Sequence, residues 1–209
     1  MRLVFATVIA AIAALPLSIS ATQTPAPATD RPTYPYFIDT GRVATAFRPG
    51  DRQLAEWALA SWQRAVNAFE LVAAPEDVAL IRVYWAEAND GQYGEMRAFT
   101  SGGRRGAAVY IRPDMTARGD VIASRAARDP LRRDTIVYLT CVHELGHALG
   151  LSHTANFADV MYFFGYGVGD VADYFGRYRA RIRTRADIAN VSGLSQNDVT
   201  RLRALYAPR

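Results

Sequence analysis

Residues 143 to 153 read His-Glu-Leu-Gly-His-Ala-Leu-Gly-Leu-Ser-His and contain all three histidines of the 209-residue chain. His143 and His147 are four apart, so on a helix both imidazoles project from one face, a turn apart. Such a pair fills two corners of a tetrahedral zinc site. A third ligand has to come from beyond the helix. Gly150 allows this, because glycine readily takes the left-handed conformation that ends a helix; the chain then reverses and returns His153 to the metal. Three protein ligands leave a fourth position for water, as catalytic zinc requires and structural zinc does not. Glu144, rotated about 100° around the helix from His143, is placed to act on that water as a general base rather than to bind the metal. Incidental histidines on an amphipathic helix are the bland alternative, but the eleven-residue pattern is far more specific than H-E-x-x-H alone. A purely structural site would have no use for Glu144.

The pattern is that of the metzincin zinc endopeptidases, and its surroundings resemble the matrixin (matrix-metalloproteinase, peptidase M10-like) branch. Asp159-Val160-Met161-Tyr162 is similar to that family's Met-turn, which implies that Met161 forms an apolar floor beneath the ligands. The astacin and serralysin branches place a tyrosine two residues after the Met, where this chain has Phe163. Leu194 to Val199 is close to the matrixin start of the last helix, and Asp198 would brace the Met-turn. The chain departs from the pattern at Phe163, where matrixins usually have Pro, and at Asn197, which lacks the carboxylate for a salt bridge to the mature N-terminus. No histidine remains for a second, structural zinc.

The resemblance implies a secreted zinc metalloendopeptidase acting on protein or peptide. One catalytic Zn2+ would be held by His143, His147 and His153, with Glu144 activating water and passing the proton to the leaving amine. Substrate would add its backbone to an exposed edge strand, for which Met96 to Thr100 (Met96, Arg97, Ala98, Phe99) is the candidate. Leu139, four residues before the first ligand, would line the S1′ pocket and leave it apolar, and Tyr162, Phe163 and Phe164 would form the outer wall. The rival reading is a catalytically inactive, zinc-dependent binding protein for an anionic partner, using the arginines at 177, 179, 181, 183 and 185. A solvated face on an inserted helix accounts for those arginines more simply. Glu87, Asn89 and Asp90 could hold Ca2+, though loops of this composition are common.

The elements that must position these residues suggest an α+β, metzincin-like zincin domain. It would have a twisted mixed β-sheet, an N-terminal helix, an active-site helix and a C-terminal helix. Tyr34 to Asp39 reads as a first strand. Asp51 reads as the N-cap of a helix of about five turns, with Leu54, Trp57, Ala58, Trp62, Ala65, Val66 and Phe69 as its apolar stripe. Val78 to Trp85 is a buried strand; Met96 to Thr100 and Ala107 to Arg112 are short strands joined through Ser101-Gly102-Gly103. Asp134 could cap the helix carrying the histidines, with Cys141 on its opposite face as a buried thiol. Ser195 caps a last helix with Val199, Leu202, Leu205 and Tyr206 inward.

Composition fits this reading: 50% apolar, 11% aromatic and 21% charged residues describe a folded globular chain. The net charge of +4 comes entirely from arginine and is too diffuse to indicate nucleic acid. One cysteine excludes an intrachain disulfide. Residues 1–20 have the layout of a secretory signal, cut before Ala21, so the mature protein is expected in the periplasm or medium as a monomer without a membrane span. Residues 21–33 read as a linker or short propeptide and 34–209 as the catalytic domain. That segment resembles short bacterial matrixin-like propeptides that block zinc with an aspartate. Asp30 would be the corresponding latch; a solvated side chain in a linker is the simpler alternative.

Overall fold

The computed structural model describes residues 31–41, 46–87, 92–166 and 169–207. The signal segment, most of the linker, Asp30, Asn89 and Asp90 lie outside them. Five strands form one sheet: β1 (Thr33–Ile38), β2 (Glu70–Ala73), β3 (Ile81–Trp85), β4 (Gly94–Ser101) and β5 (Arg104–Ile111), in the order β2-β1-β3-β5-β4. All pairings are parallel except β4 with β5. The antiparallel pair follows from Gly102 and Gly103, whose φ values of 54° and 74° make the hairpin turn. β4 pairs on one side only and forms the edge.

Alternation along each strand divides the sheet into two faces. Ile38, Ile81, Val83, Trp85, Val109 and Ile111 are buried in the core. The opposite face carries an aromatic ladder: Tyr84 stacks on Tyr110 at 5.4 Å, and the Arg97 guanidinium covers Tyr110 at 4.9 Å. Against the core face pack α1 (Asp51–Ala65) and α3 (Pro130–Ala148), with α2 (Asp120–Arg128), α4 (Val171–Arg179) and α5 (Gln196–Leu205) around them.

Several element boundaries differ from the sequence expectation. Gly50, not Asp51, is the N-cap of α1. Asp51 is buried because Arg133 of α3, also buried, needs a counter-ion; Arg133 Nη2 reaches Asp51 Oδ2 at 2.8 Å. α1 stops at Ala65, so Phe69 belongs to the turn into β2, where it is fully buried. Strand β3 starts only at Ile81, and Val78 is exposed. The histidine helix starts earlier than expected: Asp129 is its cap, accepting from the Arg132 N–H, and Pro130 occupies the first turn, where its missing N–H costs nothing. Asp134 instead accepts from Arg185 Nε at 2.9 Å. Ser195 does cap α5, through a capping box with Asp198. Leu205, expected inward, is 57% exposed, because the end of α5 meets the core through Leu202 and Tyr206. Strand β2 and helix α2 have no counterpart in that expectation, and the inserted helix expected at the 177–185 arginines lies earlier, as α4 (Val171–Arg179).

Arginines tie distant segments together through backbone carbonyls. Arg52 donates to Ile38 O at 3.0 Å, Arg64 to Ala189 O at 2.8 Å, Arg201 to Ser152 O at 2.9 Å and Arg203 to Ala65 O at 2.8 Å. The run at 177–185 behaves similarly. Arg179 pairs with Asp129, Arg181 donates to Ser192 O, Arg177 to Phe157 O, and Arg185 to Gly50 O and Asp134. Four of the five guanidiniums in that cluster are therefore committed to the fold itself.

Candidate metal centre

Helix α3 carries His143 and His147 on one face, and the chain reverses after it. Gly150 takes φ 103°, with its N–H donating to His147 O at 3.0 Å and the Leu151 N–H to Gly146 O at 2.9 Å. His153 then returns to the pair. Its Nε2 lies 3.2 Å from His143 Nε2 and 3.1 Å from His147 Nε2. His143 Nδ1 lies 2.7 Å from Val160 O, and His147 Nδ1 lies 2.8 Å from Leu151 O. A carbonyl only accepts, so in both rings Nδ1 carries the proton and Nε2 presents a lone pair. Two oriented lone pairs and the Nε2 of His153 thus converge. With bonds of 2.0–2.1 Å to a tetrahedral ion, neighbouring nitrogens are separated by about 3.3 Å, so the donor set fits zinc. Among the described residues this is the one group of three metal-capable side chains so placed. Burial pulls the His143 imidazole down to about 3, against the bond to Val160 O that favours its charged form; a neutral ring is the one that ligates.

Glu144 is 7% exposed. Burial pushes its carboxyl up to about 8; the Arg112 guanidinium opposes that rise and Glu95 adds to it. Space for Glu144 comes from Gly94, at the start of the edge strand. A Cβ there would fall 2.6 Å from Glu144 Cγ and 2.8 Å from Thr140 Cγ2.

Met161 is fully buried, with its sulfur against Gly146 of α3, where a Cβ would overlap it. The turn bearing Met161 is fastened to α5. Asp198 accepts from the N–H groups of Val160 at 2.8 Å and Met161 at 3.4 Å. Burial raises the Asp198 carboxyl, against the Val160 and Ser195 N–H groups. Asn197 is not left over by the loss of a carboxylate: its amide donates to Asp159 Oδ2 at 2.6 Å, and Ser195 Oγ to Asp159 Oδ1 at 2.7 Å.

A cavity of about 410 Å³ opens beside the histidines and Glu144, bounded by Gln92 to Met96 of the edge. Leu139, Tyr162, Phe163 and Phe164 line it, together with Tyr174 and Phe175 of α4 and Tyr93, for which the sequence suggested no site role. The edge-strand candidates divide by alternation. Met96 and Ala98 face the helix side, and both line a smaller cavity beside His147. The side chains of Arg97 and Phe99 lie on the other face, Arg97 over Tyr110 and Phe99 beneath Arg82, so neither reaches the cleft. The signal for α4 was present: Val171, Tyr174, Phe175 and Tyr178 recur at helical spacing behind Asp170, which caps the helix. The arginine run, which overlaps only the end of α4, drew the expected inserted helix too far along the chain.

Residues 39–170 match the protein family described as Matrixin. No curated protein matches the chain. Among solved structures, the chain is similar to one titled "GM1 bound form of the ECX AB5 holotoxin", with a TM-score of 0.55 and 16% identity over 84% of this chain and 80% of that one. At that identity the likeness is one of fold.

Proposed function

Because the chain belongs to the matrixin family of metallopeptidases, we propose that it is a secreted zinc-dependent endopeptidase, with His143, His147 and His153 as ligands and Glu144 as general base. The observation that carries this reading is the convergence of three Nε2 atoms beside a buried carboxyl, in a cleft bounded by an open strand edge. Zinc bound there supplies Lewis acidity toward a peptide carbonyl and a water whose pKa is lowered to about 7. Glu144 takes the proton of the attacking water and delivers it to the leaving amine nitrogen. Its burial, at 7% exposure, keeps that proton from bulk water between the two transfers. The unpaired N–H and C=O groups of β4 hold the substrate backbone extended. Leu139, Phe164, Tyr174 and Phe175 offer an apolar pocket to the side chain beyond the scissile bond.

Export rests on the layout of residues 1–20; among the described residues no helix is long and apolar enough to cross a membrane. The test of the activity is cleavage of a denatured protein. It should require zinc, stop with a chelator, and fall by several orders of magnitude in Glu144→Ala while bound zinc is retained. Full cleavage by Glu144→Ala, or none by the parent loaded with zinc, rejects the reading.

A further inference from the structure

Two of the three imidazoles are oriented by a carbonyl on Nδ1, His143 by Val160 O and His147 by Leu151 O. His153 differs: among the described residues no protein acceptor meets its Nδ1, and its side chain is exposed. Its ring is instead stacked on that of Phe163, with centroids 4.8 Å apart and planes 26° from parallel. The backbone brings the two rings together. The Thr154 N–H donates to Met161 O at 2.8 Å and the Phe163 N–H to Thr154 O at 3.1 Å, so His153 and Phe163 flank a two-bond ladder. Phe163 also has a prepared berth, since a Cβ at Gly165 would overlap three atoms of its ring. A 44% exposed phenylalanine is thus held in one orientation, against an imidazole that lacks the usual hydrogen-bonded brace.

We propose that Phe163 is the positioning residue for His153, fixing by ring stacking what Val160 and Leu151 fix by hydrogen bonds for the other two ligands. The proposal rests on the reading of the three histidines as a zinc site and deepens it. Stacking restricts the imidazole to rotations about its own normal, so Nε2 stays in the plane that points at the other two nitrogens. Without the ring, His153 has several solvent-exposed rotamers, and each binding event must select one of them.

The test is competition of the metal-free protein with a chromophoric chelator for Zn2+, on the parent and on Phe163→Ala, Phe163→Leu, Phe163→Tyr and Phe163→Trp. Thermal unfolding of each metal-free variant is the check on folding. Phe163→Ala and Phe163→Leu should bind zinc about tenfold more weakly, the low end of what loss of an outer partner costs. Phe163→Tyr and Phe163→Trp should stay within about threefold of the parent, a threshold below that loss. Because the readout is zinc affinity, a parent that binds no zinc refutes the metal-site reading as well. A parent that binds zinc alongside an unimpaired Phe163→Ala refutes only this inference. Equal loss in the aromatic and aliphatic variants also overturns it, because bulk rather than a stacking face would then be responsible. Should Phe163→Ala unfold, the comparison of Phe163→Leu with Phe163→Tyr decides alone.

Discussion

A methyl group at Gly94 would fall 2.9 Å from Glu144 Oε1 as well as against its Cγ. The strand at Gly94 is paired through β5 and cannot easily retreat, so the carboxyl must move. Gly94→Ala should therefore lower kcat by tenfold or more, since a shift of about 1 Å in a catalytic group can cost 100-fold, while zinc content stays at the parent level. Turnover within twofold of the parent would refute this. Gly146→Ala places a methyl against the Met161 sulfur and 3.1 Å from Trp62 Cζ2, both in the core. Overpacking of this kind costs about 1–3 kcal/mol, to be read as a lower denaturant midpoint. The histidines and Glu144 were legible in the sequence because their spacing itself states the geometry, and Met161 through the resemblance to the matrixin Met-turn. Gly94 and Gly146 were not. The reason for each glycine lies in a side chain that approaches it from elsewhere, Glu144 across the cleft and Met161 from the turn that bears it. Nothing local to either glycine records that approach.

Helix α3 owes its start to Asp129, which accepts from the Arg132 N–H at 3.3 Å and pairs with Arg179 Nε of α4 at 2.7 Å. Burial alone would raise this carboxyl, but the Arg179 ion pair and the Arg132 and Leu131 N–H groups hold it below its ordinary value. A folded-state pKa below the unfolded one gives stability that is complete above about pH 4 and vanishes as pH falls through the folded value. Asp129→Ala should thus cost about 1 kcal/mol near neutrality, and the gap to the parent should close in acid. Unfolding curves at pH 7 and pH 3 measure it; a gap that widens in acid contradicts the assignment. The Asp51–Arg133 pair, 1% and 3% exposed, joins the start of α1 to α3. Asp51→Ala strands a buried guanidinium and should cost about 3–5 kcal/mol. The sequence showed Asp51 only as an acid before an apolar stripe, which is equally the signature of a cap. Its real partner lies 82 residues away and could not be seen. Regular strands and the cap at Ser195 were legible because they are local. β2 and α2 were not, being short segments whose order depends on neighbours across the sheet and along α3.

At the scale of the whole molecule, the candidate zinc site joins α3 to the segment from Leu151 to Tyr162, and Asp198 joins that segment to α5. An ion that binds only the folded arrangement stabilises it by about 4 kcal/mol at a thousandfold excess over its dissociation constant. Chelation should accordingly lower the melting temperature, and hydrogen exchange should quicken in residues 151–163 before it does in the sheet. An unchanged melting temperature after verified metal removal would count against the site. The arginine ties between segments have a different consequence, one for alkaline solution. A lysine tie is lost near pH 10.4, whereas a guanidinium keeps its proton, and this chain has no lysine at all. Above neutrality the vulnerable groups are instead tyrosines: burial raises Tyr174, Tyr178 and Tyr206, three rings set around the cleft wall, the α3–α4 contact and the end of α5. A phenol whose folded pKa is raised contributes stability that is whole below about pH 10 and drains away above it. Base should therefore dismantle this protein by ionising its aromatic packing, with the cationic fastenings still in place.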